Sequence, residues 1–453
     1  MNLSGDIQPH ALAAPRQPPG LGFRRIWRHI RARHDRGDVS AMAAAELGDV
    51  VKMPGPPGKR IWLCTHPRDL KRVMITNASN YRKSYDYAIL SRLLGKGLIT
   101  SEGEVWLRDR RLQHPLFHGK ALEQFFGTIV DCAQATVDRW QPGQEIQLEN
   151  EMTRFTVHVI GERILSLDVR EWTDEIVYHL NVCQRHIIDR VVSPIDWARF
   201  LPTPGERRFK KSLAALYGII DELVARRSKL VGERHDLYSV LEPTGLPPDV
   251  LRDQLMTMFL VGHETSASTL SWIFYALATH PEIDARLAAE SQAVLAEGPL
   301  GLKRLERLEY TTRVAKEGMR LYPPAPFQGR EAIEADELGG YHVPKDTVVV
   351  ISAYATHRRP DLWPEPLVFD PDRFAPERAA KHLPHQYIPF LQGPRACIGQ
   401  HLAMWELQVG LAMIASRYRL RLVDERPITP VALISLRPSR PVVMRVEKRE
   451  AVR

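Results

Sequence analysis

The sequence has few of the residues that build disulfide scaffolds or cysteine-held metal clusters. It contains only four cysteines in 453 residues, and no two of them form a C-x-x-C pair. Wide spacing of this kind argues against a disulfide framework and indicates a reducing compartment. We therefore expect Cys64, Cys132 and Cys183 to be ordinary core or surface thiols, because free cysteine is usually just buried.

Long apolar runs and internal repeats are also absent. No run of 18 or more apolar residues occurs, and residues 1–20 carry charges and four prolines in place of the apolar core of a signal peptide. These absences predict a cytoplasmic protein without a transmembrane anchor. Because no repeat or long flexible linker divides the chain, we expect a Pro-rich flexible tail over residues 1–22 and one folded unit over residues 23–453.

The chain is basic, with a net charge of +8. A basic excess is compatible with nucleic acid, an anionic membrane surface or an acidic protein partner. The densest cluster of arginines lies on a predicted helix over residues 24–36, and we interpret it as a solvated helix face, with membrane contact as the alternative. No aromatic residues interleave with the charges as in a nucleic-acid module, so no nucleic-acid partner is expected.

Hydrophobic periodicity predicts a helix-rich fold. From residue 104 onward the 3.6-residue period dominates, and the longest predicted helix covers residues 249–279. Strand-like alternation is confined to residues 49–65, 328–353 and 419–446. The pattern predicts a mainly α fold with small β-sheets, and it does not suit a parallel-sheet architecture.

One cysteine lies in a loop bounded by glycines, at residues 390–399 (FLQGPRACIG), just before an apolar helical run. We expect the two glycines to let backbone approach the sulfur closely, and Arg395 supplies positive charge for a thiolate or for an anionic group of a ligand. A lone cysteine is only a partial ligand for zinc or an iron–sulfur cluster. A single thiolate fits an iron whose other positions are filled by a macrocycle.

The pattern F-x-x-G-x-R-x-C-x-G resembles the haem-binding loop of the cytochrome P-450 family. Further resemblances follow in the family's order: W-x-x-x-R at Trp106, G-x-[DE]-T at Gly262, E-x-x-R at Glu317, and a later arginine, Arg373. The resemblance implies the single-domain cytochrome P-450 fold, haem b as cofactor and Cys397 as the ligand of its iron. It also implies haem contacts, mostly with the propionates, from Trp106, Arg110, Arg330, Phe390, Arg395 and Gly399.

The long predicted helix contains a group of residues that are unfavourable in a helix interior. Gly262 and Thr265 flank His263 and Glu264 in an otherwise apolar stretch, which predicts a local distortion and a polar pocket. A surface Glu–Thr pair is the alternative. The resemblance assigns Thr265 as the hydrogen-bonding partner of dioxygen and Glu264 as its connection to solvent protons. Val261 stands where the family usually has a small residue, which predicts a tighter pocket.

Glu317 and Arg320 lie one helical turn apart on the same face. Alone, this spacing is typical of a surface ion pair. The resemblance implies instead that both meet Arg373 in a buried ionic triad that fixes the loop beside the haem. His357, close to these motifs, is interpreted as an ordinary polar residue.

The resemblance implies a monooxygenase that inserts one oxygen atom from dioxygen into a lipophilic small molecule, by hydroxylation or epoxidation. The variable lining regions are mostly apolar, which predicts a fatty acid, a terpene or a similar natural product as substrate. Arg185, His186 and Arg190 lie in one of these regions, and we expect them to be exposed at the surface, with contact to a substrate carboxylate as the alternative. The predicted pocket residues are Met258, Val261, Gly262, Phe327 and Leu433.

Electrons must come from a separate protein, because the sequence shows no flavin or iron–sulfur module. We expect NAD(P)H as their source, a ferredoxin or flavodoxin with its reductase as partner, and a monomeric enzyme.

Two other functions are the alternatives to a monooxygenase. A peroxygenase would lack the Glu264–Thr265 pair, and a haem-thiolate sensor would need neither that pair nor a substrate-sized apolar pocket.

Overall fold

The computed structural model describes residues 16–22, 36–191, 203–232, 234–432 and 434–450. Most of the predicted basic helix therefore lies outside the described residues. Helices predominate and the sheets are small, which confirms the predicted fold class. The helices are α1 Arg36–Leu47, α2 Pro67–Lys71, α3 Asp86–Leu94, α4 Gly103–Gln113, α5 Gly119–Asp138, α6 Leu148–Leu165, α7 Thr173–Val191, α8 Pro204–Arg227, α9 Leu237–Leu241, α10 Pro248–Thr279, α11 Pro281–Ala296, α12 Leu302–Leu305, α13 Glu309–Leu321, α14 Ala353–Thr356, α15 Pro376–Ala379 and α16 Gln400–Arg417.

The strands of the described residues form four small sheets. The largest has five strands in the order β1-β2-β8-β5-β3, with β2 and β8 parallel and the other neighbours antiparallel. Strands β1 and β2 pair antiparallel within residues 49–65, the first segment whose alternation predicts strands. The strands are β1 Val50–Met53, β2 Arg60–Cys64, β3 Tyr81–Lys83, β4 Glu145–Gln147, β5 Phe327–Ala332, β6 Asp336–Leu338, β7 Tyr341–Val343, β8 Thr347–Ser352, β9 Tyr418–Leu422, β10 Pro430–Ala432, β11 Leu436–Pro438 and β12 Val443–Lys448.

The central helix α10 is buried along most of its length and passes through the main hydrophobic core. It begins at Pro248, because proline fits the first helical turn, and ends just before Pro281. The predicted local distortion of α10 is wrong, because α10 is a continuous α-helix through Gly262 and Thr265. The Thr265 hydroxyl donates a hydrogen bond of 2.9 Å to the Val261 carbonyl, which satisfies it within the helix.

Gly262 is required for the packing of α6 against α10. A Cβ atom at this position would lie 2.4 Å from Cδ1 and 2.6 Å from Cγ1 of Ile160. Since Ile160 is itself buried in the main core, a side chain at residue 262 would force the two helices apart. The glycine thus serves helix contact as well as the predicted pocket.

Residues 19–21, which the sequence places in the N-terminal tail, pair with the first sheet. The Leu21 amide donates to the Lys52 carbonyl at 2.9 Å, the Lys52 amide donates to the Pro19 carbonyl at 2.8 Å, and Leu21 is buried. The flexible tail stays a prediction for residues 1–15, which lie outside the described residues. Within the described ranges, no helix has both the length and the apolar character needed to cross a membrane.

Candidate active site

The predicted site residues meet at one cavity of about 510 Å³ between α10, α16 and β5. Cys397 and Thr265 both line it, although they are far apart in the sequence. Of the predicted pocket residues, Met258, Val261, Gly262 and Phe327 line the cavity, whereas Leu433 lies outside the described residues. All the residues predicted to contact haem line it as well, namely Trp106, Arg110, Arg330, Phe390, Arg395 and Gly399.

The loop that carries Cys397 is held by its own backbone. The Cys397 amide donates to the Phe390 carbonyl at 2.8 Å, and the accessible surface of the Cys397 side chain lines the cavity. Gly393 has a φ of 74°, and a Cβ there would lie 2.1 Å from the Met74 carbonyl oxygen. This glycine therefore lets the loop press against residues 72–76. That it also serves close approach to the sulfur stays a prediction.

Two opposing effects act on the pKa of the Cys397 thiol. Burial raises the pKa of the Cys397 thiol, while the Gly399 amide and the positive charge of Arg110 oppose that rise. The other three cysteines, Cys64, Cys132 and Cys183, are buried, as expected for ordinary thiols. Cys397 is thus the one cysteine, among the residues that the structure describes, whose sulfur opens into the cavity.

Desolvated cations line one side of the cavity. Arg110 lies 5.8 Å above the Trp106 ring, its guanidinium makes no hydrogen bond or ion pair with another described residue, and burial lowers its pKa. Burial likewise lowers the pKa of Lys83 to about 7, with the charges of Arg395, Arg330 and Arg110 acting in the same direction. Positive groups held away from water need an anionic partner. The two propionates of haem fit this requirement.

Lys83 was missed by sequence reasoning, since one lysine at the end of a short strand has no distinguishing pattern. Its ammonium group donates to the backbone carbonyls of Leu98, at 3.2 Å, and Ser101, at 2.5 Å. These bonds hold the charge at the cavity wall, beside Trp106. Lys83 is therefore a further candidate partner for a propionate.

Arg395 lines the cavity and also pairs with an acidic residue, Glu102. Its guanidinium pairs with both carboxylate oxygens of Glu102, one of them at 2.8 Å, and stacks 5.2 Å from the Trp106 ring centre. Glu102 also accepts a hydrogen bond of 3.0 Å from the Lys83 amide. The positive charge of Arg395 is thus partly neutralised at the rim, unlike that of Arg110.

Glu264 faces a polar network that reaches the protein surface. Its carboxylate accepts hydrogen bonds from Ser435 at 2.5 Å, from Arg437 at 2.7 Å and from Gln184. Burial opposes its ionisation, but the charge of Arg437 and the Ser435 bond outweigh that effect, and the pKa of Glu264 lies below its ordinary value. The Arg437 side chain is 30% exposed, so a path runs from Glu264 toward solvent.

The E-x-x-R pair is completely buried. Arg320 bonds both carboxylate oxygens of Glu317, at 2.7 and 2.8 Å, and Arg373 lies 3.3 Å from the same carboxylate. Arg320 also donates to the carbonyls of residues 357, 366 and 368. The three side chains therefore tie α13 to the segment that precedes the Cys397 loop.

His357 has a larger structural role than the sequence suggested. It is fully buried, its Nδ1 bonds the Arg320 carbonyl at 3.2 Å, and its Nε2 accepts from the Ile388 amide at 3.0 Å. Burial, together with the charges of Arg320 and Arg358, holds its pKa well below the ordinary value. A neutral imidazole thus links α13 directly to the approach to the Cys397 loop.

Glu406 on α16 is a second buried acid at the cavity. It is 1% exposed, and its Oε1 has no hydrogen-bond partner among the described residues. Burial raises its pKa to about 8, an effect that the nearby Ser266 hydroxyl only partly opposes. A glutamate within an apolar helix, nine residues beyond Cys397, was not singled out from the sequence. At neutral pH it is mainly a neutral carboxylic acid.

The charged residues of α7 do not line the cavity. His186 and Arg190 face Glu206 on α8, at 3.1 and 3.4 Å. The predicted exposure at the surface is confirmed for Arg185 but wrong for His186 and Arg190, whose side chains are only 11% and 13% exposed because they pair with Glu206. The contribution of α7 to the cavity wall is apolar and comes from Ile187, Ile188 and Val191.

Comparisons with known proteins agree with this geometry. The family profile described as cytochrome P-450 matches residues 15–444. Cyclooctat-9-en-7-ol 5-monooxygenase of Streptomyces melanosporofaciens is 34% identical over 382 residues, which cover 83% of each chain. Pentalenene oxygenase of Streptomyces avermitilis is 30% identical over 412 residues, 89% of this chain and 91% of that protein.

Solved structures show the same fold. The crystal structure of the cytochrome P-450DA heme domain aligns with a TM-score of 0.83 and 24% sequence identity, over 96% of this chain and 99% of that chain. The fold is therefore that of a cytochrome P-450 haem domain. The chain belongs to the cytochrome P-450 family, and it is a monooxygenase of that family that uses haem and dioxygen.

Proposed function

We propose that this enzyme inserts one oxygen atom from dioxygen into a lipophilic small molecule, by hydroxylation or epoxidation of a cyclic terpene or a similar natural product. The observation that carries the proposal is a single, mainly apolar cavity in which Cys397 and the Glu264–Thr265 pair meet. Two relatives named for the oxygenation of cyclooctat-9-en-7-ol and of pentalenene support the substrate class. A fatty acid is the second candidate.

Each site residue has a proposed role. Haem b, when bound, supplies the activation of dioxygen, and Cys397 is its proposed thiolate ligand. Lys83, Trp106, Arg110, Arg330 and Arg395 hold the propionates. Glu264, kept ionised by Arg437, passes protons from the exposed side of that arginine toward Thr265. The Thr265 hydroxyl is the proposed hydrogen-bonding partner of dioxygen, which receives these protons.

Electron supply is proposed to come from NAD(P)H through a separate ferredoxin or flavodoxin with its reductase. The net charge of +8 favours an acidic partner, because complementary charge steers association. The proposal includes a monomeric enzyme in the cytoplasm.

Cys397→His is expected to abolish the strongly red-shifted Soret band of the dithionite-reduced, carbon monoxide-bound protein. The thiolate causes that shift, and imidazole ligation returns the band to a bluer position. Absorption spectra of the wild type and the variant measure this. Cys183→Ala, which changes a buried thiol outside the cavity, should keep the shifted band. A wild-type protein with only the blue position would contradict the role of Cys397.

Thr265→Ala is expected to divert most of the electrons from substrate oxidation to hydrogen peroxide, because proton delivery at a reacting centre typically contributes about 10²–10⁴-fold in rate. Peroxide and product are measured per NAD(P)H consumed. Thr269→Ala is the matched control, since Thr269 lies one turn farther along α10 and its hydroxyl bonds the Thr265 carbonyl at 2.8 Å. Equal uncoupling in both variants would remove the special role of Thr265.

A further inference from the structure

One uncharged polar side chain stands at the edge of the apolar part of the cavity. Gln328 lies on β5, two residues before Arg330, so the alternation of a strand places both side chains on the same face. It lines the cavity together with its neighbour Phe327. Across the cavity wall it meets Tyr87, which lies in the first turn of α3.

The hydrogen bonds around Gln328 have a defined direction. Arg330 has donors only, and its Nη1 donates to the Tyr87 hydroxyl oxygen at 3.2 Å. The Tyr87 proton is therefore directed to the other neighbour, Oε1 of Gln328, at 2.6 Å. This fixes the orientation of the amide and leaves its NH₂ group without a bond to another described residue, while Gln328 itself lines the cavity. Gln328 thus presents a hydrogen-bond donor to whatever occupies the cavity.

We propose that Gln328 anchors a neutral oxygen atom of the substrate, so that the enzyme prefers a hydrocarbon skeleton that already carries one hydroxyl or carbonyl group. This inference rests on the proposed monooxygenase function and narrows its substrate class. The donor needs an acceptor, and hydroxyl and carbonyl oxygens are the neutral acceptors of natural hydrocarbons. The reaction that supplies this substrate must then be one that introduces a first oxygen into the skeleton.

The charges at the cavity favour a neutral oxygen over a carboxylate. Lys83, Arg110 and Arg330 belong to the group of cations proposed to hold the two propionates. The apolar part of the cavity wall is formed by Leu90, Leu94, Ile187, Met258, Val261 and Ile434. Asp86, the acid nearest to Tyr87 in the sequence, accepts a bond from Ser84, and burial raises its pKa. A buried carboxylate would need a positive partner of its own.

The test is a spin-state titration with matched ligands. Hydrocarbon and alcohol pairs that differ by one hydroxyl group, p-menthane and menthol, and cedrane and cedrol, are compared with palmitic acid on the haem-loaded protein. The wild type is expected to bind the alcohol of a pair about twofold to tenfold more tightly than the hydrocarbon, the range that one neutral hydrogen bond gives. Gln328→Leu, of similar volume, should lose that preference, and Tyr87→Phe, which frees the amide to rotate, should reduce it.

Several results would overturn the inference. These are an undiminished preference for alcohols in Gln328→Leu, tighter binding of palmitic acid or of the hydrocarbon, and failure of every pair to shift the spin state. A changed Soret band or weaker haem retention in Gln328→Leu would instead place this residue at the haem. The carbon monoxide spectrum distinguishes failure of the proposed function from failure of this inference. A wild type without the thiolate band would contradict the proposed function. A normal band with no preference for alcohols would contradict only the role of Gln328.

Discussion

Glu317→Gln is expected to lower the free energy of unfolding by about 3–5 kcal/mol, because removing one member of a buried ion pair leaves the other charges uncompensated. The Glu317 and Arg320 side chains have no exposed surface, and Arg373 approaches the same carboxylate. Glu317 also accepts a bond of 2.9 Å from the Asp370 amide. The substitution therefore leaves two buried guanidinium groups facing a neutral amide.

Chemical unfolding of the haem-loaded protein, followed by circular dichroism and by the Soret band, measures this effect. Glu222→Gln is the matched control, since Glu222 pairs with Arg226 at 2.6 Å but both side chains are about half exposed. An exposed pair of this kind contributes little to stability, because solvent screens the two charges. A loss in Glu317→Gln no larger than in the control would show that the triad contributes little to stability.

The same buried cluster is expected to control haem retention. Arg320 and His357 connect α13 to Ile388, which lies shortly before the loop of Cys397. Loosening this connection in Glu317→Gln should broaden the Soret band before the helices unfold. Simultaneous loss of both signals would show that the loop and the helical core unfold as one unit.

Glu406→Gln is expected to stabilise the protein at alkaline pH by a few kcal/mol, because one pKa unit corresponds to about 1.4 kcal/mol. Burial raises the pKa of Glu406 from 4.5 to about 8. Between these two values the folded protein binds more protons at this residue than the unfolded chain does. The contribution of Glu406 to stability therefore falls as the pH rises from about 4.5 to 8, and it is constant above that range.

Glutamine does not titrate, so the advantage of the variant should be small near pH 5 and largest near pH 9. The groups that face Glu406 are the Ser266 hydroxyl of α10 and, more distantly, the Cys132 thiol of α5. Unfolding free energies of wild type and variant at pH 5, 7 and 9 test the prediction. Glu222→Gln should show no comparable pH dependence, and a difference between Glu406→Gln and wild type that is the same at every pH would mean that Glu406 does not titrate in this window.

Several contacts in the site could not be predicted from the sequence, because they join segments that are far apart along the chain. Glu264 and Arg437 are 173 residues apart, Arg395 and Glu102 are 293 apart, and Tyr87 and Gln328 are 241 apart. No local periodicity relates such positions, and each pair meets only after helices and strands pack. Gly393 shows the same limit, since its need for a glycine comes from the backbone of Met74.

The sequence by itself determined the fold class, the long central helix, and the placing of Cys397 in a tight loop before α16. These features are local: helical period, strand alternation and short motifs such as Glu317–Arg320 depend on residues a few positions apart, whose geometry the backbone dictates. Only the tertiary structure decided that α10 stays unbroken at Gly262, that Glu264 pairs with Arg437, and that Lys83, Gln328 and Glu406 reach the cavity. The reason is physical, since burial and hydrogen-bond direction are properties of packed elements, and they set the charge and polarity of a side chain only once its distant neighbours are in place.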